Sequence, residues 1–129
     1  MSVFVILLEN EYWARKSLVR QCKLLPRVEV VGEFEEAEQA MDFIRKRHID
    51  AAIIDILLPH CSGFEIGKEM KEIQPDLNLI FTSGDDTLET QIQKYGGNSF
   101  LHKPIAIRDL RCALKQENNS DGSGLSPDE

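Results

Sequence analysis

Short apolar runs alternate with longer amphipathic stretches along most of this chain. The runs are Val3 to Leu8, Val28 to Val31, Ala51 to Ile54, Leu79 to Phe81 and Phe100 to Leu101. They are brief, continuously apolar and rich in Val and Ile, which suits parallel strands covered on both faces better than half-exposed antiparallel ones. The third, Ala51-Ala52-Ile53-Ile54, is expected at the centre of the sheet. Between the runs, apolar residues recur at helical spacing: Ala14, Leu18, Cys22 and Leu25; Ala37, Ala40, Met41 and Ile44; Ile66, Gly67, Met70 and Ile73; Leu88, Ile92 and Tyr95; Ile107, Leu110 and Leu114. Arg15, Lys16, Arg45, Lys68, Lys71 and Lys115 fall on the polar faces of these helices and read as ordinary solvated surface. Each strand and helix pair takes roughly 20 to 25 residues, the pace of successive βα units.

The punctuation agrees with that division. Asp86 followed by Glu89 has capping-box spacing and predicts the start of the fourth helix, which Gly96-Gly97 would end by supplying positive φ. Pro26, Pro59, Pro75 and Pro104 all fall between elements, where a missing N–H does no harm. From Glu117 to Glu129 there is one apolar residue in thirteen, too few to offset chain entropy. The reading is a single domain over residues 1–116 followed by a disordered tail or the start of a linker at 117–129.

Composition narrows the class. A length of 129 residues with 42% apolar side chains fits one domain with one sizeable core. A formal net charge of -7 argues against a general binder of nucleic acid or anionic membrane, because the long-range field repels phosphates. Cys22, Cys61 and Cys112 are odd in number and lack C-x-x-C spacing, so neither a disulfide framework nor a zinc site is signalled. No apolar run approaches the roughly 18 residues that span a bilayer, and a cytoplasmic location is expected. The phosphate-cradling glycine motifs of dinucleotide and nucleoside triphosphate enzymes are missing, and His48, His60 and His102 have no metal-ligand spacing.

In open parallel α/β sheets the crevice for chemistry lies at the carboxyl ends of the strands. Here the first strand ends in Glu9-Asn10-Glu11, the third in Asp55, the fourth in Thr82-Ser83-Gly84, and the fifth runs through His102 into Lys103-Pro104. In a strand order of 2-1-3-4-5 the first and third strands are neighbours, so Asp55 would face Glu9 and Asn10. Acid, amide, hydroxyl and ammonium then converge. Mg²⁺ favours one or two carboxylates with waters and a phosphate, an Asp carboxylate can attack phosphorus, and Lys and Ser can hold phosphoryl oxygens. The same residue types also lead helix N-cap preferences, so composition alone leaves capping as an equal reading.

The segment Asp50-Ala51-Ala52-Ile53-Ile54-Asp55-Ile56-Leu57-Leu58-Pro59-His60-Cys61-Ser62-Gly63-Phe64-Glu65 goes further. It resembles the phosphoacceptor segment of the receiver domains of two-component response regulators, with Pro four residues and Gly eight residues after the Asp. With the acidic residue after strand one, Ser or Thr after strand four and Lys-Pro after strand five, the resemblance covers residues 3 to 116. It implies a flavodoxin-like (βα)5 three-layer sandwich with a five-stranded parallel sheet in order 2-1-3-4-5. It also implies a phosphorylation-dependent switch rather than an enzyme, catalysing at most its own phosphorylation and dephosphorylation.

By that resemblance Asp55 is the phosphoacceptor, and Glu9, Asn10, Asp55 and the Leu57 carbonyl are the Mg²⁺ ligands. Ser83 is the switch hydroxyl, with Thr82 as runner-up, Gly84 is the small residue that leaves access, and Phe100 is the aromatic switch. Lys103 partners the phosphoryl oxygens, and its bond to Pro104 is expected to be cis. The implied partners are a sensor histidine kinase or phosphotransfer protein, and a downstream protein at the face of the fourth helix, fifth strand and fifth helix, with no direct binding of nucleic acid or membrane. Three departures stand out. Asn10 replaces the usual second acid, which predicts weaker Mg²⁺ affinity or, in the alternative, a pseudo-receiver acting as an interaction module without phosphorylation. Leu57 places an apolar side chain where a polar one often guides water, which predicts a long-lived phosphoryl group. The stretch from Ser83 to Gly96 is about two residues shorter than usual, which predicts a short or displaced fourth helix.

Overall fold

In the computed structural model, residues 1–115 are described; residues 117–129, read from the sequence as a tail, lie outside them. Strands β1 (Val3–Leu8), β2 (Val28–Phe34), β3 (Ala51–Asp55), β4 (Asn78–Ser83) and β5 (Ser99–His102) form one parallel sheet in the order β2-β1-β3-β4-β5. Helices α1 (Tyr12–Lys23), α2 (Ala37–Lys46), α3 (Gly63–Ile73) and α4 (Ile107–Ala113), with a 3₁₀ helix at Asp86–Tyr95, connect and follow them. This is the flavodoxin-like doubly wound arrangement expected from the alternation.

The two-residue period of the strands divides the core into two layers. Val5, Leu7, Ala51, Ile53, Ile80 and Leu101 pack with Leu18 and Cys22 of α1 and Leu110 of α4. On the opposite face Ile6, Leu8, Ala52, Ile54, Leu79 and Phe81 pack with Met41 and Ile44 of α2, Phe64 and Met70 of α3, and Ile92 of the 3₁₀ helix. Every residue of β3 is buried, as its central place requires. The strands outrun their apolar cores: β2 continues through Gly32, Glu33 and Phe34, and β4 starts at Asn78 and ends at Ser83. Polar residues at strand ends carry no apolar signal, so the pattern alone stops short there.

The fourth connection differs from the expected α-helix. It winds as a 3₁₀ helix, with Leu88 donating to the Asp85 carbonyl at 3.2 Å and Gly96 to that of Gln93 at 3.1 Å. At about 2.0 Å rise per residue against about 1.5 Å for an α-helix, ten residues of 3₁₀ helix reach about as far as thirteen of α. The shorter segment thus still bridges β4 and β5. Its cap is Asp85 rather than Asp86: the Asp85 carboxylate accepts from the Thr87 N–H at 3.0 Å and the Thr87 hydroxyl at 2.6 Å. Gly96, at φ +82°, ends it as expected.

Lys71 also departs from the solvated-surface reading. Its ammonium donates to the Leu77 carbonyl at 2.6 Å and to Asn98 Oδ1 at 2.7 Å, tying α3 to the approaches of β4 and β5.

The glycine eight residues after Asp55 has a steric reason. Ser62 caps α3 through its hydroxyl, and the helix starts directly against the backbone at the end of β3. A Cβ on Gly63 would stand 2.1 Å from the Asp55 carbonyl oxygen and 2.7 Å from Ile56 Cα. Backbone cannot yield as a side-chain tip can, so Gly63→Ala should destabilise the fold by about 1–3 kcal/mol, the usual cost of overpacking. A urea unfolding midpoint equal to that of the unchanged chain would contradict this.

Candidate functional site

The carboxyl ends of four neighbouring strands bring the sequence-derived candidates together. Glu9 follows β1 and is 2% exposed; Asp55 closes β3 and is 9% exposed. Lys103, just beyond β5, reaches between them: its ammonium donates to Glu9 Oε1 at 2.5 Å and lies 3.3 Å from Asp55 Oδ2. The outer oxygens are also held, Glu9 Oε2 by the Glu11 N–H at 2.9 Å and Asp55 Oδ1 by the Leu57 N–H at 3.3 Å. Two buried carboxylates and one ammonium make a compact cluster of net charge -1.

Ser83 ends β4 and is buried, its hydroxyl accepting from the Asp85 N–H at 3.0 Å. Its carbonyl accepts from the Lys103 N–H at 2.9 Å, which fixes the start of the Lys103 side chain against β4. Thr82 lies one position earlier, buried and paired in register with Asp55 and Leu101. Gly84 has open space where a Cβ would stand. Phe100 pairs in register with Phe81 and packs, half-buried, on the α2 and α3 side of the sheet. The Lys103–Pro104 peptide is cis. Asn10 is exposed, and Leu57 is 62% exposed at the rim of the crevice.

The family of the response regulator receiver domain matches residues 5–115. The chain belongs to this family, the receivers of two-component systems. It is 24% identical over 133 residues to the response regulator MprA of Mycolicibacterium vanbaalenii, covering 98% of this chain and 56% of that protein. It is 25% identical over 113 residues to the transcriptional regulatory protein DegU of Brevibacillus brevis, covering 86% of this chain and 48% of that protein. The chain thus spans about half the length of these curated relatives. In fold it is similar to a CheY-like response regulator receiver domain protein from Methanospirillum hungatei, with a TM-score of 0.79 at 20% identity over 89% of this chain and 92% of that one. No helix among the described residues of the receiver is long and apolar enough to cross a membrane.

Electrostatics in the receiver's crevice follow from the cluster. Burial pushes the Asp55 carboxyl above its ordinary range; the Lys103 ammonium pulls it back and the Glu9 charge pushes it up again, leaving it raised. Burial draws Lys103 down, but its hydrogen bond to Glu9 and the charges of Asp55 and Glu9 outweigh this, and it stays raised and charged.

The cation donors expected from the sequence are all oxygens: the carboxylates of Asp55 and Glu9, which the structure brings together around Lys103, and the Leu57 carbonyl and the Asn10 amide. Among the described residues no three His, Cys, Asp or Glu side chains gather to hold a metal. The set still fits Mg²⁺, which takes one or two carboxylates and keeps its waters, and the surplus negative charge of the cluster favours a cation.

One residue near the site escaped the sequence reading. Arg15, assigned there to solvated helix surface, is 5% exposed and points inward beneath Glu9. Its signal was the acidic pair Glu33 and Glu35, which the fold brings against α1 but which is remote along the chain.

The raised Asp55 carboxyl has a sign that stability can report. A carboxyl whose folded pKa is raised penalises the fold when ionised, so the penalty is fully present above its folded pKa and vanishes below its unfolded value. Asp55→Asn should therefore raise the thermal midpoint at pH 7 in metal-free buffer, and the gain should shrink as the pH falls to about 3.5. A gain that grew on acidification would contradict the assignment.

Proposed function

We propose that the receiver accepts a phosphoryl group on Asp55 from a histidine kinase or phosphotransfer protein and acts as a phosphorylation-dependent switch. The observation that carries this reading is the Lys103 ammonium set between the buried carboxylates of Glu9 and Asp55. A carboxylate kept at a solvent-reachable strand end, beside a fixed cation, is suited to attack phosphorus and to have its new phosphoryl oxygens compensated.

In the step, an Asp55 carboxylate oxygen forms the O–P bond as the P–N bond of a phosphohistidine breaks; the leaving imidazole keeps the electron pair and takes up a proton. Lys103 meets the phosphoryl oxygens. The Ser83 hydroxyl, which now accepts from Asp85, still has its own O–H to donate to them. Mg²⁺, when held by Asp55, Glu9, the Leu57 carbonyl and the Asn10 amide, would supply further neutralisation of phosphoryl charge. A phosphoryl group adds about 1.5–2 negative charges, enough to bias a two-state arrangement of Ser83 and Phe100. That bias reaches the face made by the 3₁₀ helix, β5 and α4, where a protein partner would read it.

Two substitutions set this receiver's character. Asn10 keeps an oxygen but gives up one charge toward the cation, which weakens Mg²⁺ binding. The exposed Leu57 lines the approach to Asp55 with an apolar side chain, which disfavours a water aligned for hydrolysis and lengthens the life of the phosphoryl group.

Acetyl phosphate with Mg²⁺ should add one phosphoryl mass to the intact protein and none to Asp55→Asn. Asn10→Asp should lower the Mg²⁺ midpoint about tenfold, and Leu57→Asn should hasten loss of the added mass once the donor is removed. No mass gain in the unchanged protein would instead favour the interaction module without phosphorylation.

A further inference from the structure

Arg15 sits on α1 but is as buried as the core, and its guanidinium is engaged on three sides. Nη1 donates to the Glu9 carbonyl at 2.8 Å, Nε to Glu33 Oε1 at 3.2 Å and Nη2 to Glu35 Oε2 at 3.1 Å. Only the guanidinium is withdrawn from water, Glu33 and Glu35 being partly exposed, and its desolvation offsets much of the attraction; what the set supplies well is a fixed geometry.

The sheet is irregular where this geometry needs it. Val5 of β1 pairs with Val30 of β2, but Ile6 pairs with Gly32, so Val31 is an extra residue. Side chains alternate along a strand, so one extra residue moves every later side chain to the other face. Without it, Glu33 would fall opposite Leu8, which packs in the apolar layer under α2 and α3. With it, Glu33 pairs with Leu7 on the α1 side, where Arg15 meets it, and Phe34 takes the apolar layer. Gly32 makes room for that exchange, since a Cβ there would lie 2.8 Å from the Phe34 ring.

Glu9 is where these contacts converge. Its N–H donates to the Phe34 carbonyl of β2 at 3.0 Å and its carbonyl is held by Arg15 of α1, so both backbone groups are fixed. We infer that Arg15, clamped by Glu33 and Glu35 through the bulge at Val31, is a positioning residue that sets the Glu9–Asn10 peptide and thereby aims the Glu9 carboxylate at Lys103. The inference rests on the reading of Asp55 as phosphoacceptor and adds a device that controls its efficiency.

The test compares Arg15→Met, Arg15→Lys and the pair Glu33→Gln with Glu35→Gln in the full chain. Phosphorylation by acetyl phosphate is measured with the Mg²⁺ midpoint and thermal midpoint of each. Arg15→Met should slow phosphorylation and weaken Mg²⁺ binding about tenfold, as loss of an outer-shell contact does. Arg15→Lys should recover part of that loss, and the paired glutamines should show a smaller loss of both. A folded Arg15→Met with unchanged rate and Mg²⁺ midpoint overturns the inference; if it does not fold, unchanged values in the paired glutamines overturn it. Failure of the phosphoacceptor reading would show separately, as no mass gain in the unchanged protein. Hydrogen exchange at the Glu11 amide, which Glu9 Oε2 holds, then decides: faster exchange in Arg15→Met supports the positioning role and unchanged exchange overturns it.

Discussion

The structure turns on one ammonium group. Lys103 stands between Glu9 and Asp55, two carboxylates withdrawn from water, and without a cation there they would repel each other across a narrow crevice. Each of the three charges arrives on a different strand end, so the cluster exists only if β1 lies beside β3 and the chain then crosses β4 to reach β5. Fold and site are therefore one constraint: the right-handed doubly wound order puts the charges together, and the charges give the crevice two carboxylates balanced by one fixed ammonium. The Lys103 N–H bonded to Ser83 ties the fourth strand into the same set.

Much of this was legible in the sequence because it follows from short-range rules. Continuous Val and Ile runs gave parallel strands, and the polar residues that interrupt them, Glu9, Asp55, Ser83 and Lys103, fell at strand ends where an α/β sheet gathers its chemistry. The remainder needed longer-range information. Nothing local separates a 3₁₀ from an α winding at Asp86–Tyr95; the run back along the sheet from the end of β4 to the start of β5, which the segment must span, is a tertiary quantity. The cap at Asp85 rather than Asp86 is a one-residue choice between two carboxylates, made by which one reaches Thr87.

Arg15 shows the same limit more sharply. Its charge reads as solvated surface, although at helical spacing it borders the apolar stripe beside Leu18 and Cys22, and only the bulge in β2 brings Glu33 to the α1 side where Arg15 meets it. A bulge leaves almost no mark in composition, since the extra residue is one more valine. Hydrophobic pattern thus finds elements and strand ends, while the support beneath a site emerges from register. The net charge of -7 likewise says little until its few consequential acids are placed.

The stability of Lys103→Met tests the role of the central ammonium most directly. If the ammonium holds two buried carboxylates together, its loss should cost about 2–3 kcal/mol of unfolding free energy at pH 7 without metal, somewhat less than for a fully buried pair because its edge is solvated. Millimolar Mg²⁺ should restore much of that loss by binding the folded state alone. A Lys103→Met protein as stable as the unchanged one in chelator, and indifferent to Mg²⁺, would contradict the account.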